Sequence, residues 1–256
     1  MEIIDTHAHL DFSEFYEDRQ EVINRAREQG VVNIVNIGTR LSSSRKALAL
    51  SQEYECVYAA VGIHPHNADE IEVDKACLVL KDLAKADKVK AIGEIGLDFH
   101  YDNSPRDVQR EVFINSLELA AELQLPVIIH SREASDETMR ILENYRVSKP
   151  GGIMHCFAGD DKMAERALKL GYYIAVGGII TFNSADRLRQ TIAGVPLERL
   201  LVETDCPFLT PAPNRGKRNE PSHIRYVVQK LAEIKGLSPE EIAAVTTRNA
   251  KEVFSI

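Results

Sequence analysis

Short apolar runs alternate with amphipathic stretches along the chain. Runs of mostly valine, isoleucine and alanine fall at residues 2–5, 32–37, 57–61, 89–93, 126–129, 152–154, 172–176 and 200–203. Each is too short for a stable helix and β-branched enough to read as a buried strand, which predicts eight strands. Apolar residues recur at spacings of three and four over 17–29, 42–53, 72–86, 107–124, 133–145, 160–170 and 184–194, then over 221–236 and 239–253. That is the period of a helix with one buried face. End signals support the boundaries. Ser42 and Asp160 are placed to cap helices. Gly30 and Gly171 suit left-handed C-caps, and Pro126 and Pro150 interrupt helix. Ser238-Pro239-Glu240-Glu241 opens the final helix with a cap and a first-turn proline.

Eight strands alternating with helices predict α/β architecture with a parallel sheet. At this length a closed barrel is the economical solution: a single-domain (β/α)8 TIM barrel over residues 1–256, with an additional C-terminal helix. An open doubly wound sheet would want a glycine-rich phosphate loop after the first strand, and Thr6-His7-Ala8-His9 stands there instead.

Composition narrows the class. Of 256 residues, 44% are hydrophobic and 27% charged, a globular mix that excludes disorder, collagen and coiled coil. No apolar run approaches the roughly 18 residues of a membrane span. The N-terminus is acidic and lacks a signal-peptide pattern. Four cysteines (Cys56, Cys77, Cys156, Cys206) show no CxxC spacing, so a reducing, cytoplasmic setting is expected. The net charge of −8 excludes a globally basic nucleic-acid coat.

A barrel collects function at the C-terminal ends of its strands. The histidines obey that rule. His7 and His9 end the first predicted strand, His64 and His66 the third, His130 the fifth and His155 the sixth. His100 and His223 lie in loops after the fourth and eighth strands. Glu94 ends the fourth strand, and Glu203 and Asp205 follow the eighth. Residues at i and i+2 share a strand face, which aims His7 with His9 and Glu203 with Asp205 into one mouth, with Asp5 a layer below His7. Carboxylates buried there need a compensating charge, which divalent ions supply. His7, His9, His130, His155, Glu94 and Asp205 are too many ligands for one tetrahedral ion. They suit two ions such as Mg²⁺, Mn²⁺ or Zn²⁺, about 3.5–4 Å apart, sharing a bridging carboxylate. Glu203 is expected to orient a ligating imidazole from behind.

The loop after the eighth strand carries a local basic patch. Arg215, Lys217, Arg218 and Arg225 against Glu220 give residues 211–225 a charge of +3. Arg132 follows two residues after His130. These cations, with His64 and His223, are candidates for contacts to a phosphate backbone, which points to DNA or another phosphodiester substrate.

The segments Asp5-Thr6-His7-Ala8-His9-Leu10, Gly62-Ile63-His64-Pro65-His66, Gly93-Glu94-Ile95-Gly96-Leu97-Asp98, Ile129-His130-Ser131-Arg132, His155-Cys156-Phe157, Glu203-Thr204-Asp205-Cys206-Pro207 and Arg215–Pro221 together resemble the TatD family of metal-dependent hydrolases, within the amidohydrolase-like barrels. The resemblance covers essentially the whole chain. It implies a metal-dependent deoxyribonuclease with 3′→5′ exonuclease character. It implies one ion on His7, His9, Glu94 and Asp205, a second on Glu94, His130 and His155, and Asp205 holding and deprotonating the attacking water. Many related barrels bridge their metals with a carboxylated lysine on the fourth strand, and Glu94 in that place favours the nuclease branch. Hydrolysis of small esters, amides or phosphoesters, and metal binding without catalysis, are the competing readings.

Overall fold

The computed structural model describes residues 1–145 and 151–256, so the expected helix stop at Pro150 lies outside the described residues. The strands are β1 (Ile3–Ala8), β2 (Val31–Ile37), β3 (Val57–Val61), β4 (Val89–Asp98), β5 (Val127–Arg132), β6 (Gly152–Met154), β7 (Tyr173–Val176) and β8 (Leu200–Val202). They pair in parallel and in chain order. The ring nearly closes where the chain beyond β8 meets β1: Ala8 bridges Cys206, and the His9 N–H donates to the Cys206 carbonyl at 2.8 Å. The helices are α1 (Arg19–Glu28), α2 (Leu41–Glu53), α3 (Val73–Leu83), α4 (Arg106–Leu123), α5 (Ser135–Asn144), α6 (Asp161–Lys169), α7 (Asp186–Gly194), α8 (Ile224–Lys235) and α9 (Pro239–Phe254). The result is a single-domain α/β barrel with C-terminal helices after it. No described helix is long and apolar enough to cross a membrane.

Two apolar layers hold it together. Ile4, Val35, Ile37, Ala60, Ala91, Ile128, Ile153, Tyr173, Ala175 and Leu201 fill the barrel interior, with at least one from every strand. The opposite faces of the strands pack with the helices in a larger core that includes Ile34, Val57, Ile129, Ile174 and Val202. The last helix seals the barrel floor. Ala250, Val253 and Phe254 of α9 join the interior layer, and the Asn249 amide donates to the carbonyls of Leu197 and Leu200 at 2.9 and 2.8 Å.

The end signals resolve as follows. Asp160 caps α6 by accepting the Met163 N–H at 3.0 Å, and Ser238 and Glu241 form a reciprocal capping box at α9. Ser42 is exposed and caps nothing. Its neighbour Ser43 accepts the N–H groups of Thr39 and Arg40 at 2.8 and 2.9 Å, because α2 begins at Leu41, one residue earlier than expected. Strands β1, β4 and β5 run several residues past their apolar stretches, so that His7, Glu94 and His130 belong to the strands themselves.

Candidate metal centre

Strand alternation delivers three site residues with no further device. Ile128, Ile153 and Leu201 point into the barrel, so His130, His155 and Glu203, two residues later, point into its mouth. His7 and Glu94 break this rule. Ile4 and Ala91 face inward, and simple alternation would send residues 7 and 94 outward. One extra residue in each strand corrects the phase. Between Asp5 and Ala8, β1 advances three residues while β2 advances two, from Ile34 to Asn36. Between Ile92 and Ile95, β4 advances three while β5 advances two, from Val127 to Ile129. Such bulges re-aim a side chain next to a functional site. Beyond them, Ala8 and Ile95 face the outer core, as the flipped phase requires. The bulge also separates Asp5 from the face of His7. Asp5 accepts the N–H and hydroxyl of Thr204 at 3.0 and 2.6 Å and is not stacked below the imidazole.

Close backbone approaches tighten the rim. A Cβ at Gly96, whose φ is +142°, would stand 2.0 Å from the carbonyl oxygen of His130. Asp205 and Cys156 hold left-handed backbone with φ of +56° and +41°, a conformation that non-glycine residues adopt at a cost of about 1–3 kcal/mol.

The side chains converge. The Nε2 atoms of His7 and His9 are 3.2 Å apart. Glu94 Oε2 lies 3.4 Å from His7 Nε2 and 4.0 Å from His9 Nε2. Its other oxygen, Oε1, lies 2.9 Å from His130 Nδ1, 3.5 Å from His64 Nε2 and 3.6 Å from His155 Nε2. Asp205 Oδ1 is 3.4, 3.7 and 3.9 Å from the Nε2 atoms of His9, His7 and His155. Glu94 therefore offers one oxygen to each of two imidazole groups, and Asp205 stands between them. Donor atoms of His7, His9 and Glu94 form one group within 4.8 Å of one another, and those of His64, Glu94 and His130 form another.

The outer contacts suit ligation. His9 Nδ1 meets the Ile37 carbonyl at 3.1 Å, which leaves Nε2 facing the cluster. His155 Nδ1 lies 2.8 Å from Glu203 Oε1, though off the hydrogen-bond direction, and Glu203 Oε1 accepts the Cys156 N–H at 2.7 Å. His7 Nδ1 and Glu203 Oε2 are likewise buried without a hydrogen-bond partner. Asp98, fully buried, spans His66 Nε2 at 2.7 Å and His130 Nε2 at 3.2 Å.

Burial and charge pull these groups in opposite directions. Burial would raise Glu94, yet the imidazoles of His64, His155 and His7 hold its carboxyl well below the usual range. Burial would raise Asp205 too, and His9, His155 and His7 keep it low. Burial disfavours charge on His155, but Glu203, Glu94 and Asp205 outweigh it and push its pKa up to about 10. Burial, with His155 alongside, lowers His7. Two ionised carboxylates among converging imidazole nitrogens, with orphaned polar atoms beside them, fit divalent cations that prefer nitrogen and oxygen ligands.

The cluster floors an open cleft of about 680 Å³. His9, Glu94, His130, His155 and Asp205 line it, His64 joins them, and Arg132 stands at its rim. Fully buried His7 lies beneath. The basic loop takes a different course. Arg218 is fastened to Asp18 through two hydrogen bonds of 2.8 and 2.6 Å, and Arg215 packs over Phe182 at 3.7 Å. Lys217 is exposed and, like both arginines, is not among the residues lining the cleft. His223 meets Asn219 Oδ1 at 3.1 Å and lines a separate recess with Arg25 and Arg225. Of the expected phosphate-contacting cations only Arg132 lines the cleft, and Asp18, just before α1, holds Arg218 aside. Among the cleft-lining residues that carried no signal in the sequence are Phe12, Arg40, Tyr101 and Phe208. Asp98 was legible as i+4 from Glu94 on one strand.

The model of TatD related DNases matches residues 4–255. The chain belongs to the TatD family. It is 46% identical over 255 residues to a Bacillus subtilis protein named "Uncharacterized metal-dependent hydrolase YabD", covering 99% of each. It is 35% identical over 260 residues to the "3'-5' ssDNA/RNA exonuclease TatD" of Citrobacter koseri, covering 99% of each. The crystal structure of YJJV, a TatD homolog from Escherichia coli K12, superimposes with a TM-score of 0.94 at 35% identity, over 99% of this chain and 98% of that one. As a TatD-family metal-dependent hydrolase, the chain carries a His/Glu cluster consistent with two-metal hydrolysis.

Proposed function

We propose that this TatD-family hydrolase is a nuclease that removes nucleotides from the 3′ end of DNA, working in the cytoplasm with two divalent ions, Mg²⁺, Mn²⁺ or Zn²⁺. The observation that carries the reading is Glu94, whose two carboxylate oxygens address two separate imidazole groups. His7, His9, Glu94 and Asp205 would hold one ion, and Glu94, His130 and His155 the other, with His64 near enough to Glu94 to contribute. Ions bound there would make water a nucleophile near neutral pH and offset charge on phosphoryl oxygens.

The chain's own groups supply the rest. Asp205 borders both the imidazoles and the open cleft, so its carboxylate is placed to accept a proton from the attacking water. Arg132 at the rim attracts the phosphate backbone into a chain of net charge −8. Glu203 fixes the direction of His155 from behind. The name of the Citrobacter koseri relative supports the substrate class and polarity.

The test is a chelator-stripped preparation given single-stranded DNA labelled at either end, together with a panel of small esters, amides and phosphomonoesters. Metal-restored shortening from the 3′ end, abolished by Asp205→Asn, supports the reading. Turnover confined to the small substrates, or nuclease activity indifferent to Asp205→Asn, overturns it.

A further inference from the structure

Two aromatic rings stand open at the cleft. Phe208 is 48% exposed and Tyr101 is 54% exposed, and both line it. Exposure alone says little, since single surface aromatics are ordinary. Their anchoring says more. The Phe208 N–H donates to the Asp205 carbonyl at 2.9 Å, and the Phe208 ring rests edge-on against Phe12 at 5.8 Å. Phe12 in turn stacks on His9 at 4.8 Å. The Tyr101 N–H donates to Asp98 Oδ1 at 2.9 Å, and its ring meets His66 at 90°. Each ring is therefore tied, by backbone and by side chain, to the candidate metal centre, one on its His9 side and the other on its Asp98 side. Tyr101 also carries Arg132, whose guanidinium lies 4.7 Å from the ring centroid. A half-exposed ring with a cation over one face matches a nucleotide, with its base on the ring's open side and its phosphate on the arginine.

We infer that Phe208 and Tyr101 are base platforms, each stacking an unpaired nucleobase beside the scissile phosphate. This rests on the nuclease reading and adds to it a preference set by bases as well as phosphates. Stacking needs a free base face, in keeping with the single-stranded substrate in the name of the Citrobacter koseri relative. Aromatic stacking tolerates any base, so little sequence preference is expected.

The test pairs each variant with a substrate change. Phe208→Leu and Tyr101→Leu keep bulk and remove the π face, Phe208→Trp restores one, and Tyr16→Ala removes an exposed aromatic outside the cleft. Michaelis constants are measured on a trinucleotide and on the same trinucleotide made abasic at both nucleotides that flank the cleaved bond. The leucine variants are expected to raise KM on the base-bearing substrate by roughly 5- to 150-fold, the range that base stacking spans. On the abasic substrate they should match wild type, while Phe208→Trp recovers and Tyr16→Ala changes nothing. A second readout needs no turnover: a phosphorothioate-linked trinucleotide carrying 2-aminopurine should lose fluorescence on binding wild type and keep it on binding the leucine variants. Equal losses on both substrates, no loss on either, or an unchanged quench in the variants overturns the inference. Failure of the wild-type protein to cleave any oligonucleotide overturns the nuclease reading, and the quench then still decides whether the rings hold bases.

Discussion

Glu203→Gln probes how the barrel aims a ligand. Glu203 is fully buried, its Oε1 accepts the Cys156 N–H at 2.7 Å and sits 2.8 Å from His155 Nδ1, and Oε2 has no partner. The amide keeps the shape and the Cys156 contact. It removes the negative charge behind the imidazole and places an unpaired NH₂ where Oε2 was, a burial cost of about 1–3 kcal/mol. Loss of such an orienting partner typically weakens metal affinity or activity by about 10- to 100-fold, and the substitution is expected to fall in that range. A second effect opposes the first. Glu203 is the strongest of the charges that push His155 up to about 10, so its removal eases the proton that a metal must displace. The affinity ratio between wild type and variant should therefore widen as pH rises from about 7 toward about 8.5, because wild type gains more from deprotonation. Calorimetric titration of Mn²⁺ into chelator-stripped protein, across buffers, measures this. An affinity within about twofold of wild type at every pH would refute the role given to Glu203.

Three further outcomes are expected. Gly96→Ala places a Cβ 2.0 Å from the His130 carbonyl at φ +142°, so it should lower unfolding stability by at least about 1–3 kcal/mol in urea titration; an unchanged midpoint would contradict the close approach of β4 and β5. Glu220→Gln removes the Arg25 partner held at 2.6 Å. Burial would raise Glu220, but Arg25 and Ser222 hold it below the ordinary 4.5, so the ion pair's stabilisation is full above that value and fades as pH falls through the lowered one. With Arg25 41% exposed and screened by solvent, the wild-type advantage should be no more than about 1 kcal/mol near pH 7 and shrink in acid, and a gap that grows in acid would reverse the sign. Mn²⁺ at about a hundredfold over its Kd should raise the melting temperature by about 5–10 °C, and the combined His9→Ala and His130→Ala variant should lose that shift.

The sequence showed the barrel because strand runs and helical periods survive any tertiary detail. It showed the site because imidazoles and carboxylates cluster at strand ends, where only a polar rim tolerates them. What it hid was the aim. Alternation from Ile4 and Ala91 turns His7 and Glu94 outward, and the extra residue that reverses each phase lies in strand pairing, which depends on a partner distant in the chain. The same applies to the basic loop. Arg218 reads as a free cation until Asp18 is placed beside it. Phe208 and Tyr101 carried no signal, since loop aromatics have no period to read.

Ion positions around Glu94 decide whether the centre holds two metals. Crystals of the stripped protein soaked in Mn²⁺, measured at a wavelength where manganese scatters anomalously, locate them. Two anomalous peaks about 3.5–4 Å apart, bridged by the Glu94 carboxylate and flanked by His7, His9, His130, His155 and Asp205, are predicted. A single peak, or peaks that leave Glu94 without a contact, would contradict the two-ion centre.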